Sequence, residues 1–183
     1  MILGLDISLT TVGFTVLDDD GKIVMIDYVK PQGNTLFEKV ESAVEQFYHK
    51  IGQTSVDTVV AEQPNIMFQA GRSSASTISK ILRFNGAFLF TICQSFRILP
   101  QEVMAISARK AVIGRGRFAP GLNPKEEVWK WVNQQATIQW PIGRTGNFKP
   151  ERFDMADSAI VAWYGHKFKA MCGTQTEKVG VAQ

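Results

Sequence analysis

The sequence predicts a mixed α/β domain in which a five-stranded sheet carries helices on both faces. Apolar residues make up 45% of the 183 residues and charged residues 20%, as in a single globular domain with a well-formed core. Three short apolar runs open the chain, and an Asp-Gly pair between the last two favours a hairpin. Helical and strand patterns then alternate. The resulting order, β-β-β-α-β-α-β-α, is typical of a mixed sheet covered on both sides.

The first half of this order depends on clear patterns. Strands are predicted at residues 1–6, 12–17 and 22–29, where apolar side chains dominate. A helix follows, because apolar residues recur at steps of three and four from Leu36 to Ile51 and Gly52 can end it. A fourth strand at residues 57–62 ends in Glu62, and Pro64 blocks its continuation.

The second half contains more helices than strands. We predict a long apolar helix at residues 79–96, a short strand at 103–106, and a helix that begins at Ala108 with Ser107 as its cap. Helices at 125–132 and 151–169 follow the loops 114–124 and 141–150. One domain is therefore expected over residues 1–170, with a flexible tail at 171–183. Among folds of this size, the ribonuclease H-like fold has this order of elements.

Charge is distributed unevenly along the chain. The net charge is only +3, but residues 1–70 carry 4 basic and 10 acidic side chains, whereas residues 71–183 carry 16 and 7. This asymmetry favours a carboxylate-rich site beside an anion-binding surface. No apolar run approaches the roughly 18 residues of a membrane span. The first residues lack the basic start of a signal peptide, and the two cysteines lack zinc spacing. We expect a cytoplasmic protein with no membrane partner.

Four acids occur where the predicted strands end and where the last helix begins. Asp6 and Glu62 end the first and fourth strands, and Asp154 and Asp157 share one face of the final helix. Parallel neighbouring strands bring their carboxyl ends to one edge, so the four carboxylates are expected to meet. Each acid alone also has an ordinary explanation as a turn or helix-start residue. Together they form an all-oxygen donor set that favours Mg²⁺ or Mn²⁺, and two such ions can clamp a phosphodiester.

The segments that carry these acids are ILGLDISLTTVGFTVLD, VVAEQP and FDMADSAIVAWYGH. They resemble the acidic motifs of RuvC-type Holliday junction resolvases, which have the ribonuclease H-like fold. The resemblance implies a metal-dependent endonuclease that resolves four-way or other branched DNA by paired nicks, leaving 5′-phosphate and 3′-hydroxyl ends. It also implies that Asp6, Glu62 and Asp157 bind two Mg²⁺ or Mn²⁺ ions, and that Asp154 is either a further metal ligand or an acid that orients the attacking water. The long loop GRGRFAPGLNP leaves open a phage-encoded member of the family, acting in its host's cytoplasm.

The resemblance also implies residues that face DNA. Arg109 and Lys125 match family lysines, and one of them would stabilise charge at the scissile phosphate. Phe68 would wedge into the junction, with packing under its loop as the alternative. Further phosphate contacts are expected from Arg72, Lys80, Arg83, Lys110, Arg115 and Arg117, although a solvated helix face also explains Lys80 and Arg83. The family acts as a homodimer, for which the helix at 79–96 is a candidate interface, with burial inside the monomer as the alternative.

Other interpretations use the same residues differently. A ribonuclease H-type nuclease or a strand-transfer enzyme would share the fold, and substrate preference separates them from a resolvase. The segment DISLTTVG also resembles the phosphate-binding hairpin of actin-like kinases and ATPases, but those need two such domains. A DNA-binding relative without activity would be expected to lack at least one acid, and all four are present.

Overall fold

Five strands form one mixed sheet in the computed structural model, which describes residues 1–64 and 74–176 of the chain. The strands are β1 (Ile2–Ile7), β2 (Val12–Leu17), β3 (Ile23–Val29), β4 (Thr58–Glu62) and β5 (Gln101–Val103). Their spatial order is β3-β2-β1-β4-β5. β1 pairs antiparallel with β2 and parallel with β4, and β5 pairs parallel with β4. The predicted mixed five-stranded sheet is confirmed.

Five helices follow or separate these strands within the described residues. They are α1 (Leu36–Ile51), α2 (Ala75–Phe96), α3 (Ala105–Ile113), α4 (Pro124–Gln135) and α5 (Glu151–Thr176). Local sequence explains several ends. Thr35 and Glu38 form a reciprocal capping box at the start of α1, and Gly52 ends it at a φ of 58°. Asn123 caps α4, whose first residue is proline.

Several helix boundaries differ from the prediction. α4 extends from Pro124 to Gln135, beyond the predicted residues 125–132. α3 begins at Ala105 and not at Ala108, so Ser107 lies inside its first turn and is not the cap. The reason is that the pairing of β5 with β4 ends at Glu62 opposite Val103. α2 begins at residue 75, where Ser74 accepts a hydrogen bond from the backbone of Thr77. α5 continues to residue 176, so the backbone of residues 171–176, expected in the tail, is helical.

The core is divided between the two faces of the sheet. On one face, Leu3, Leu5 and Phe14 pack with Phe47 of α1 and Phe88 of α2. On the other face, a second cluster joins the sheet to α3, α4 and α5, and its buried members include Ile2, Val60, Ala108, Val128 and Ile160. Successive strand residues point to opposite faces, so even-numbered residues of β1 and β4 face α5.

Two glycines let α5 lie directly on the sheet. A Cβ at Gly4 would overlap the backbone of Ser158, and a Cβ at Gly13 would overlap the carbonyl group of Asp154. The Thr15 and Ser158 hydroxyls lie 2.8 Å apart between the same elements, fully buried. The first turns of α5 are therefore held close to the end of β1 where Asp6 lies.

No helix within residues 1–64 and 74–176 is long and apolar enough to cross a membrane.

Candidate active site

Asp6 and Glu62 lie side by side at the carboxyl ends of two parallel strands. The register pairs Leu5 with Ala61, so the next residues along both strands are the two acids. Asp6 is on the same face of β1 as Ile2, and Glu62 is on the same face of β4 as Val60, which both pack towards α5. Both carboxylates therefore point towards α5 and are partly buried.

α5 brings the other two acids to the same place. Asp154 and Asp157 are three residues apart in its first turns, and Asp157 is only 5% exposed. The contact of α5 with Gly13, which pairs with Asp6, fixes this end of the helix over β1. We call Asp6, Glu62, Asp154 and Asp157 the acidic cluster. The structure thus brings together the four acids that the sequence singled out.

Two basic side chains from separate helices contact the acidic cluster. Arg109 of α3 donates from Nη2 to Oδ1 of Asp157 at 2.9 Å, and its side chain is 15% exposed. Lys125, in the first turn of α4, has its Nζ 3.5 Å from Oδ1 of Asp154. Its side chain is 52% exposed. The Arg109 side chain is therefore mostly buried within the site, whereas the Lys125 side chain lies half exposed at its rim.

The crowding of acids changes their protonation. Burial, together with the neighbouring Asp157 carboxylate, raises the pKa of Glu62 to about 7. Burial and then the charges of Glu62, Asp157 and Asp154 raise the pKa of Asp6 well above its usual range. The pKa of Asp154 is also raised, mainly by burial, although Lys125 opposes this. Two basic side chains do not fully offset four clustered carboxylates, so the cluster favours additional positive charge.

The donor set suits a hard divalent cation, although the side chains are not arranged around one. Within the described residues, no three His, Cys, Asp or Glu side chains converge as a ready-made metal site. Arg109 contacts one oxygen of Asp157, and Lys125 contacts one oxygen of Asp154. The available ligands are all carboxylate oxygens, which are the ligands that Mg²⁺ and Mn²⁺ prefer. The residues therefore fit such an ion in their chemistry and in the charge that they leave unbalanced.

An open cavity of about 360 Å³ lies beside Asp6 and Glu62. Its walls are the turn after β1, the residues that follow β4, and Ile81 of α2. Ser8 shapes the turn, because its hydroxyl donates to the carbonyl of Thr11 at 2.7 Å. Asp6 and Glu62 therefore border a cavity at the edge of the sheet.

Sequence reasoning missed how Thr11 and Gly13 help to position the acids. Thr11 is 6% exposed and lies beside Asp154, where its side chain helps to lower the pKa of that acid and opposes the effect of burial. Gly13 matters because of the α5 backbone that it touches. Both lie in the segment SLTTVG, which begins two residues after Asp6, and its small and hydroxyl-bearing residues are the signal that could have indicated this role.

The residues predicted to contact DNA lie on several elements around this site. Lys80 and Arg83 are exposed on α2, and Lys110 is exposed on α3. Arg115 and Arg117 are exposed in the α3–α4 loop, which returns to the start of α3 where Gly116 contacts Ile106. Phe68 and Arg72 lie outside the described residues.

Solved structures with this fold include Holliday junction resolvases. RuvC of Thermus thermophilus is 19% identical with a TM-score of 0.62, and the match covers 94% of this chain and 96% of that one. T. thermophilus RuvC in complex with a Holliday junction substrate is 16% identical with a TM-score of 0.65 and the same coverage. The yeast mitochondrial Holliday junction resolvase Ydc2 is 13% identical with a TM-score of 0.57, over 96% of this chain and 81% of that one. No protein-family model and no curated protein matches the sequence. At these identities the likeness shows the fold, and the predicted ribonuclease H-like fold is confirmed.

Proposed function

We propose that the protein is a structure-selective endodeoxyribonuclease that resolves four-way or other branched DNA junctions. It would cut by paired nicks and leave 5′-phosphate and 3′-hydroxyl ends. The observation that carries this proposal is the acidic cluster, in which three elements of a resolvase-like fold bring four carboxylates together at one open edge. Among the solved structures with this fold, Ydc2 is a Holliday junction resolvase and T. thermophilus RuvC is in complex with a Holliday junction substrate. These two structures support the choice of substrate.

The acidic cluster would hold Mg²⁺ or Mn²⁺, as two ions. When bound, such ions neutralise the phosphate, activate the attacking oxygen and stabilise the leaving oxygen. The chain's own contribution is to present the carboxylates on rigid elements. Burial, together with the charge of Asp157, raises the pKa of Glu62 to about 7, and bound divalent cations would favour its charged form.

The two basic residues of the site suit different roles. Arg109 is mostly buried and donates to Asp157, so it would act as a positioning residue for that acid. Lys125 is half exposed at the rim, and its pKa is raised because Asp154, Asp157 and Asp6 together outweigh the effect of burial. It therefore stays protonated, and it would stabilise negative charge that develops on the scissile phosphate.

A basic surface next to the site would bind the DNA backbone. Residues 103–125 contain no Asp or Glu, and their basic side chains include the exposed Lys110, Arg115 and Arg117. Lys80 and Arg83 of α2 would extend this surface on the far side of the cavity, which Ile81 lines. Phosphate contacts of this kind position a protein on DNA without reading its sequence. Phe68 as a wedge and Arg72 as a phosphate contact remain part of the proposal.

A homodimer would supply the second active site that paired nicks require. One face of α2 is buried in the core through Phe84, Phe88 and Ile92, and the other exposes apolar side chains. Phe90 is 66% exposed there, and Leu99 just beyond the helix is 90% exposed. They border a groove of about 480 Å³. A second copy of the chain is the proposed occupant, since two-fold pairing of one apolar face is the commonest route to a dimer.

The test is cleavage of a substrate panel by the purified protein in Mg²⁺. The panel contains a four-way junction, a linear duplex of the same sequence and an RNA–DNA hybrid. We expect cleavage of the junction and little of the others, and an Asp6→Asn variant should bind the junction but not cut it. Preferential cleavage of the hybrid would favour the ribonuclease H-type alternative. Full activity of Asp6→Asn would refute the assigned site.

A further inference from the structure

Residues 141–150 form a short, ordered hairpin directly before α5. The backbone of Gly143 donates to Asn147, and the backbone of Lys149 donates to Pro141, both at 2.8 Å. Ile142 and Phe148 pair across the hairpin. Gly146 takes a φ of 79°, which glycine adopts without strain. Residues 141–150, which the sequence predicts as a loop, therefore form a hydrogen-bonded hairpin with a defined turn.

Arg152 of α5 links this hairpin to α4 and α5 through hydrogen bonds and an ion pair. Its Nη1 donates to the carbonyl oxygens of Phe148 and Lys149 at 3.2 Å, and its Nη2 lies 2.8 Å from Oε1 of Glu126 in α4. The guanidinium also lies 5.0 Å from the ring centroid of Trp129, on which the Phe148 ring packs at 5.3 Å. α4 and α5 are the helices that carry the lysine and two of the acids of the site. The hairpin is thus attached to the first turns of α4 and α5, at the same end of the domain as the acidic cluster.

The hairpin shows solvent a combination of basic and apolar side chains. Ile142 is 57% exposed and Phe148 is 45% exposed. Arg144 is exposed at the tip and makes no hydrogen bond or ion pair with the described residues. Residues 128–150 contain no Asp or Glu, so Arg144 has no acid of the hairpin beside it. Lys149 lies near Glu151, whose pKa its charge helps to lower. Such a surface fits a partner that offers phosphates beside apolar faces.

We propose that this hairpin contacts DNA next to the scissile phosphate and helps to recognise the branch. This inference rests on the proposed function. Arg144 and Lys149 contact backbone phosphates, which adds affinity for any DNA. Ile142 and the exposed part of Phe148 contact base faces. Those faces are covered by stacking in a continuous duplex and become available where stacking is interrupted, as apolar wedges in other DNA-binding proteins exploit. The apolar pair therefore contributes selectivity for a branch, and the basic pair contributes general affinity.

Binding measurements separate these two contributions. The full chain carrying Asp6→Asn serves as the non-cutting parent, and fluorescence anisotropy gives its Kd for a labelled four-way junction and a linear duplex of the same sequence. Adding Arg144→Ala should weaken binding of both DNAs by about 3- to 10-fold and reduce the slope of log Kd against log salt by about 1. Adding Ile142→Ser should weaken junction binding by about 3- to 10-fold and change duplex binding less than about twofold.

Lys22→Ala is the matched control, because Lys22 is an exposed lysine in the β2–β3 turn at the opposite end of the sheet. It should leave both Kd values unchanged. Ile142 is chosen over Phe148 because Phe148 also packs on Trp129. Equal melting temperatures of parent and variants confirm that each variant folds. If Arg144→Ala binds both DNAs as the parent does, or Ile142→Ser weakens both equally, the proposal is wrong even though the parent prefers the junction. A parent without that preference refutes the proposed function, and the hairpin's role falls with it.

Discussion

Replacing Glu62 by glutamine should stabilise the protein when no divalent cation is present. Burial and the Asp157 charge raise the pKa of Glu62 from 4.5 to about 7. At 1.36 kcal/mol per unit, the charged form therefore destabilises the folded state by roughly 3 kcal/mol above pH 7. Glutamine keeps the size of the side chain and removes the charge. At pH 8 in EDTA, we expect the free energy of unfolding to rise by up to about 3 kcal/mol and Tm by roughly 6–12 °C.

The effect should depend on pH in a defined direction. Because the pKa of Glu62 is higher in the folded state, folding retains a proton that the unfolded chain has already released between pH 4.5 and 7. The wild-type protein therefore loses stability as pH rises through this range. Near pH 4.5 Glu62 is protonated in the folded state and the variant gains little. The stability of Glu62→Gln should still fall as pH rises, but less steeply, because the pKa values of Asp6 and Asp154 are also raised.

Thermal unfolding followed by circular dichroism, in EDTA from pH 4.5 to 8, measures this effect. Glu102→Gln is the matched control, since Glu102 is exposed on β5 next to β4 and its change should stay within about 0.5 kcal/mol. Adding Mg²⁺ should stabilise the wild-type protein more than Glu62→Gln. If Glu62→Gln is no more stable than the wild-type protein at pH 8, or if its gain in stability is the same at every pH, the buried charge of Glu62 does not destabilise the folded protein.

Three further variants test the packing, the ion pair and the dimer. Gly13→Ala places a methyl group against the backbone of α5, so urea denaturation should show a loss of about 1–3 kcal/mol together with slower junction cleavage, and unchanged stability would contradict the close contact. Arg109→Met leaves Asp157 buried without its partner and should lower the free energy of unfolding by about 3–5 kcal/mol in EDTA. A second change, Asp157→Asn, should restore most of it, and absence of recovery would argue against the ion pair. Phe90→Ser should turn the proposed dimer into a folded monomer, as measured by sedimentation velocity. Phe37→Ser, at a similarly exposed position on α1, should leave the dimer intact. A dimer that persists in Phe90→Ser would exclude this face as the interface.

The positions of the acids could be predicted from sequence because strand ends are marked by local patterns. Asp6 and Glu62 each follow a run of buried apolar residues, and Asp154 and Asp157 share a helix face by their spacing. Parallel pairing of β1 with β4 then brings the first two together. The end of α1 at Gly52 was predicted for the same kind of reason, since the signal lies within one element.

Other features depend on contacts between distant segments and have no local signal. The start of α3 is set by where β4 stops pairing with β5, so the apolar residues from Val103 to Ile106 predicted a strand at 103–106, two residues later than the observed start of β5 at Gln101. The closeness of Gly13 to α5 is likewise tertiary. Arg152 shows the same limit, because its role in fastening the hairpin requires α4, α5 and the hairpin to be placed together.

Metal-dependent junction cleavage is tested most directly by incubating the wild-type protein with an end-labelled four-way junction, in Mg²⁺ and in EDTA. We expect paired nicks at symmetric positions in two opposite strands, which DNA ligase can reseal and which appear only with Mg²⁺. An intact junction in Mg²⁺, or the same cuts in EDTA, would contradict a metal-dependent resolvase.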